Sequence, residues 1–164
     1  MRVERIEPGP GQESVWDYPR PPRLERTPKR IEVELGGVVI ADSTRAWRVL
    51  ETSHPPIYYI PREDIRGEYL EEAPGSSFCE WKGRARYLHV RGGERFTERA
   101  GWYYPDPTDS FESIRDYVAF YPEAMDACRV DGETVTPQPS RFYGGWVTSG
   151  IVGPFKGEPG TEFW

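Results

Sequence analysis

Apolar and polar residues alternate in short runs along most of the chain, the period of strands with one face on a core. Ile31, Val33 and Leu35 alternate with Glu32 and Glu34, Gly36-Gly37 turns the chain, and Val38-Val39-Ile40-Ala41 follows. Two glycines supply the positive φ angles that a tight hairpin needs, so residues 31–42 read as a hairpin. The most informative stretch runs from Ser77 to Val90. Its odd positions are Cys79, Trp81, Gly83, Ala85, Tyr87 and His89, and its even positions from 80 to 86 are Glu80, Lys82, Arg84 and Arg86. That pattern describes one strand with a charged face, or two strands if Lys82-Gly83 turns the chain.

The remaining segments extend the β reading. Residues 43–52 fit either a short helix or a strand, and the flanking strands favour a strand. Prolines at 55, 56 and 61 bracket Ile57–Ile60 and place it at a sheet edge, because proline cannot donate to a ladder. Residues 91–94 turn the chain into a strand from Phe96 to Tyr104, which Pro105-Asp106-Pro107 ends. Asp109 is placed to cap a brief helix carrying Phe111, Ile114 and Val118 on one face. Val118–Tyr121 reads as a buried strand, and Asp131-Gly132 as a second hairpin turn. The expected fold is mainly β, a single compact β-barrel or β-tent with one or two short helices and extended terminal arms. Residues 1–30, with six prolines, form an arm tied down by Trp16 and Tyr18. Residues 31–125 form the core domain. Residues 126–164 form a hairpin and a Gly- and aromatic-rich arm packed on that core.

Composition narrows the function. Glycine and proline number 17 each and 14% of the residues are aromatic, which suits tight turns between strands. Lysine and arginine total 21 against 27 acidic residues, a net charge of −6, so no basic field draws in nucleic acid. No apolar run approaches the ~20 residues of a membrane helix, and the N-terminus has no apolar signal core. The expectation is a soluble, cytoplasmic protein with no nucleic-acid or membrane partner. Cys79 and Cys128 are too few for a disulfide scaffold or a four-thiolate zinc site, so neither a metal nor another cofactor is expected.

Several ordered motifs share a family likeness. His54-Pro55-Pro56 with Tyr58-Tyr59, Pro61-Arg62-Glu63-Asp64, Cys79-Glu80-Trp81-Lys82-Gly83, Trp102-Tyr103-Tyr104-Pro105-Asp106-Pro107 and Val118-Ala119-Phe120-Tyr121 follow one another along the chain. Together they resemble the signature of the bacterial family named domain of unknown function 427, over about residues 31–125, with the arms of a longer-form member. The resemblance implies a small Mss4-like, β-tent fold. It implies no established activity, although members are sometimes labelled nucleotidyltransferase-like. Some Mss4-like relatives bind zinc through paired Cys-x-x-Cys knuckles, which neither cysteine has here.

The residues themselves offer three chemistries. Nucleotidyl transfer commonly pairs a Gly-Ser turn with a downstream Asp-x-Asp/Glu, yet Gly75-Ser76 has no such pair after it and residues 153–157 do not form a P-loop. Cys79 with His54 or His89 would make a thiol–imidazole pair, so these three are the catalytic candidates. On one straight strand Cys79 and His89 would lie about 33 Å apart, and only a fold-back would join them. The third chemistry is binding. A compact β fold would gather the aromatics of separate strands around a concave mouth, with His54, Tyr58, Cys79, Trp81, Lys82, Tyr87, Trp102 and Tyr121 as the binding set. The leading expectation is a small-molecule-binding domain for a planar or anionic ligand. The alternatives are a Cys/His-dependent or nucleotide-using enzyme, and an interaction module that pairs through its arms, as a homo-oligomer or with another protein.

Overall fold

The computed structural model describes residues 3–140 and 142–164. Among the described residues fifteen strands appear in chain order, several only two residues long. The first half holds β1 (Glu13–Ser14), β2 (Arg23–Arg26), β3 (Ile31–Leu35), β4 (Val38–Ser43), β5 (Trp47–Leu50) and β6 (Ile57–Tyr59). The long central strands are β7 (Leu70–Cys79), β8 (Gly83–Gly92) and β9 (Arg95–Tyr103). After them come β10 (Val118–Phe120), β11 (Ala127–Val130), β12 (Glu133–Thr134), β13 (Thr136–Pro137), β14 (Trp146–Val147) and β15 (Ile151–Val152). The helical segments are 3-10 turns, the longest spanning Asp109–Ile114. Thr108, not Asp109, occupies its cap position, and Thr108 uses its hydroxyl elsewhere.

The main sheets have the orders β2-β5-β6, β10-β9-β8-β7 and β12-β11-β3-β4. Ile60 and Val118 exchange backbone hydrogen bonds of 2.9 Å, which carries β6 onto β10. The first two sheets thereby become one open array from β2 to β7. The fold is mainly β, as expected, but of the expected β-barrel or β-tent no closed barrel forms. The array's outer strands, β2 and β7, do not pair with each other, so the sheets stay open. The physical reason lies in the middle of the array, where strands bury both faces.

Alternation distributes neighbouring residues between two cores. Leu88, Val90, Ala100, Tyr103, Val118 and Phe120 join a cluster with Ile31, Val33 and Leu35. Their chain neighbours Tyr87, Trp102, Tyr104 and Ala119 join a second cluster with Val49, Tyr59, Phe111 and Ile114. Strand β6 and the residue after it obey the same rule: Tyr58 and Ile60 face the first cluster and Tyr59 the second. Runs such as Trp102-Tyr103-Tyr104 are unbroken because no position along them faces water. A sheet buried on both faces is a middle layer, whereas a barrel wall would show one face to solvent.

Two turns lock the layers together. Gly36 and Gly37 turn β3 into β4, both at positive φ (60° and 79°), as the Gly-Gly pair predicts. Gly36 lies directly against the Gly92 carbonyl at the β8–β9 turn, and Gly92 against the Leu35 carbonyl. Backbone meets backbone there, with no room for a Cβ on either residue. At the other end of the molecule Arg48 on β5 holds the N-terminal segment. Its guanidinium donates to Glu13 at 2.7 and 3.0 Å and to Glu25 at 2.8 Å. Trp16 Nε1 donates to the Pro154 carbonyl at 2.9 Å, which joins the two terminal segments.

The two glycines of the β3–β4 turn separate conformational strain from steric exclusion. Nothing lies within 4 Å of a Cβ built on Gly37, so Gly37→Ala should cost only about 1 kcal/mol, the penalty of positive φ. Gly36→Ala meets the Gly92 backbone and should cost at least ~2 kcal/mol more, by the overpacking rule. Urea denaturation of both variants checks the contrast, and equal losses would show that the turn-to-turn contact is dispensable.

Candidate functional site

The β7–β8 hairpin resolves the ambiguity of the Ser77–Val90 stretch in favour of two strands. Cys79 pairs with Gly83, and Glu80-Trp81-Lys82 forms the turn between them. Gly83 sits at φ 106°, a conformation that L-residues with side chains rarely adopt, and this lets the hairpin close. The turn is then strapped from outside. Thr108 Oγ1 donates to the Trp81 carbonyl at 2.6 Å, and Thr108 N to the Lys82 carbonyl at 3.1 Å. The Cys-Glu-Trp-Lys-Gly and Trp-Tyr-Tyr-Pro-Asp-Pro motifs are therefore mechanically one unit.

Over this hairpin opens a cavity of about 580 Å³. Its floor is the second-cluster face of the array: Tyr59 from β6, Ala85 and Tyr87 from β8, Trp102 from β9, and Tyr104. Cys79, Trp81 and Lys82 supply one side. Arg20, Glu51 and His54 supply another, and the segment around Phe142–Gly144 with Lys156 and Trp164 closes the third. Gly144 can only be glycine here, since a Cβ would stand 2.6 Å from the Trp102 ring. Trp102 itself donates Nε1–H to the Tyr59 hydroxyl at 3.2 Å and packs on Tyr121 with ring centres 4.5 Å apart.

Lys82 is the unusual member. Its side chain is 7% exposed, lines the cavity, and has no ion-pair partner among the described residues. Its ammonium lies 5.9 Å from the centre of the Tyr104 ring. Burial is the largest influence on its ionisation and works against the charge, while Cys79 and Glu51 nearby work in its favour. Tyr59 and Tyr104 are pushed upward by burial and stay neutral phenols.

His54 is held in one tautomer. Gln138 Oε1 accepts from the Gly145 N–H at 3.1 Å, so its Nε2 is the end that donates to the Lys156 carbonyl at 2.8 Å. The same Nε2 lies 3.2 Å from His54 Nδ1, which must therefore accept. The proton of the neutral ring consequently sits on Nε2, 3.8 Å from Glu51 Oε2. Burial, then the charges of Lys156, Arg20 and Lys82, push the imidazole down to about 3. His54 thus presents an N–H donor at neutral pH, and neither ring nitrogen is free to take a proton from Cys79.

Seven of the eight residues expected to bind ligand line this cavity: His54, Cys79, Trp81, Lys82, Tyr87, Trp102 and Tyr121. Tyr58 does not. It faces the first cluster, tilted against Trp146, while its neighbour Tyr59 faces the cavity. His89 is also elsewhere. It lies where the β8–β9 register shifts, accepts the Arg99 N–H on Nδ1 at 3.0 Å, and packs on Phe96. Because Cys79 pairs with Gly83, six residues separate it from His89 along β8, about 20 Å of strand. Cys128 is buried in the first cluster, both cysteines are free thiols, and no group of three metal-ligating side chains forms among the described residues. Tyr59 and Tyr104 stand in the sequence motifs but outside the expected binding set, and Arg20, Glu51, Lys156 and Gln138 were not singled out for binding. Strand parity was the available clue for Tyr59 and Tyr104; the others come from distant segments.

A family model described as a domain of unknown function (DUF427) matches residues 23–131. The chain belongs to the DUF427 family. No curated protein matches it. The DUF427 segment contributes the aromatic floor, His54 and Lys82, whereas Arg20, Gln138, Tyr143 and Lys156 lie outside it. One wall of the cavity is thus built by residues that the family model does not span. Within the described residues no helix is long and apolar enough to cross a membrane.

The tautomer is directly measurable. The folded ring's proton affinity is depressed below the unfolded value of about 6.5, so His54 favours unfolding as pH falls below that value and has no effect above it. Long-range ¹H–¹⁵N spectra at pH 5 should show His54 neutral with the proton on Nε2, while His89 is followed as a second probe. A His54 resonance titrating near pH 6.5 would overturn this assignment.

Proposed function

We propose that this DUF427 protein is a small-molecule-binding β domain whose ligand is planar and anionic. The observation that carries the reading is Lys82, a buried cation that opens on an aromatic cavity and lacks a carboxylate partner. Removing a charge from water without a counter-charge costs several kcal/mol, and an anionic group on the ligand offsets that cost. The floor of Tyr59, Tyr87, Trp102 and Tyr104 supplies flat apolar surface for a ring. A cavity of about 580 Å³ falls within the usual range for small-molecule sites. The donors His54 Nε2–H and Lys82 fix the orientation of an acceptor-bearing ligand. A net charge of −6 on the whole chain makes nucleic acid an unsuitable occupant.

Lys82→Met tests the proposal because it retains the stem and removes only the charge. Isothermal titration calorimetry with 1-naphthoate as the planar anion and 1-naphthamide as its neutral counterpart provides the measurement. The wild type should prefer 1-naphthoate, and the variant should lose that preference, with affinity for the anion falling at least about tenfold. The ligand-free variant should melt no lower than the wild type, since a buried unpaired charge has been replaced by an apolar side chain. Equal affinity of the wild type for both probes, or no binding of either, would overturn the reading.

A further inference from the structure

The cavity opens beside an unpaired strand edge. Strand β7 ends the array, pairs only with β8, and runs for 10 residues. Among the described residues no other backbone hydrogen bond reaches the main chain of residues 76–79. An unpaired edge is a template for another backbone, and proteins usually blunt it with charge, proline or a bulge. Strand β7 is blunted along one half alone. Leu70–Gly75 carries Glu71, Glu72 and Pro74, and the register with β8 shifts between Ala73 and Ser76. Ser76-Ser77-Phe78-Cys79 carries no such device. That bare half is the one at the cavity, where Ser77, Phe78 and Cys79 contribute to the lining. Two large apolar side chains stand in water at the same mouth, Phe78 at 70% exposed and Phe142 at 63%.

We infer that the bare half of the β7 edge receives the backbone of an extended peptide, whose C-terminal aromatic residue enters the cavity. The inference rests on the planar-anion reading: the ring of that last residue is the planar group on the aromatic floor, and its α-carboxylate is the anion held by Lys82. Extended peptides add to a sheet edge through main-chain hydrogen bonds, and a pocket beside the edge reads alternate side chains. Alternation in β7 fits that geometry. Ser77 and Cys79 pair with Ala85 and Gly83, and Cys79 and Ala85 pack with the second cluster, so the odd positions of this half face the cavity side. A strand laid against them turns every second side chain to that same side. Phe78, on the opposite parity, offers apolar contact to the side chains between.

Calorimetry with acetyl-Ala-Ala-Ala-Phe provides the test, against its C-terminal amide, N-acetylphenylalanine, and versions of the peptide N-methylated at alternate amides. The acid should bind at least about tenfold more tightly than the amide, and Lys82→Met should remove that ratio. It should also bind at least about tenfold more tightly than N-acetylphenylalanine, which has no backbone to lie along β7. Methylation at amides of one parity should abolish that gain, and at the other parity leave it within about twofold, because alternate N–H groups of a strand face its neighbour. Equal affinity of the peptide and N-acetylphenylalanine, or equal effects of methylation at both parities, would overturn the edge inference and leave the planar-anion reading standing. Binding of 1-naphthoate without binding of the peptide would do the same, whereas binding of neither would overturn both readings. A second copy is the competing occupant: sedimentation showing a dimer that Phe78→Lys converts to monomer would assign the edge to self-pairing and overturn the peptide assignment.

Discussion

The structure depends on a sheet whose central strands bury residues on both faces. Strands β8, β9 and β10 send alternate residues to opposite sides, and both sides are filled. One side is sealed by the β3–β4 hairpin and the β11 strand, whose apolar residues complete the first cluster. The other cannot be sealed by a second full sheet, because β5 and β6 continue the same array instead of covering it. What covers it is irregular chain: the Glu80–Lys82 turn, the loop at Thr108, and the segments around His54 and Tyr143. Irregular cover leaves space, and that space is the cavity.

The cavity combines rigidity with an unresolved charge. Trp102, Tyr59, Gly144 and the Thr108 strap hold its floor and one side through direct contacts, so little reorganisation accompanies entry of a flat molecule. Lys82 is the opposite kind of feature. A methionine there would pack as well and cost nothing in desolvation, so the ammonium does not serve the stability of the empty fold. Sites of function are where a chain departs from its own folding rules, and Lys82 is the clearest departure here. His54 carries the complementary message. Its orientation depends on Gln138, and Gln138 on Gly145 and the Lys156 carbonyl, so the terminal segment positions a donor that belongs to the family segment.

Sequence alone determined the local elements and the composition of the site. Hairpins at Gly36-Gly37 and Asp131-Gly132 were legible because a two-residue turn at positive φ admits few residue types, and the turn after Gly92 because Gly93 follows it. The aromatic motifs, Lys82 and His54 were legible as a group because their chemistry is dense and ordered. What tertiary structure decided was parity and partnership. A strand buried on one face reveals its inward side by alternation, whereas Tyr58-Tyr59 and Trp102-Tyr103-Tyr104 are apolar at every position, and a one-residue change of phase exchanges core for cavity. Openness of the sheets likewise depends on whether distant edges meet, which no local pattern encodes. Arg20, Gln138 and Lys156 are ordinary polar residues in sequence. They acquire meaning only because the terminal segments fold back over the array, where burial removes water and makes each remaining charge and hydrogen bond count.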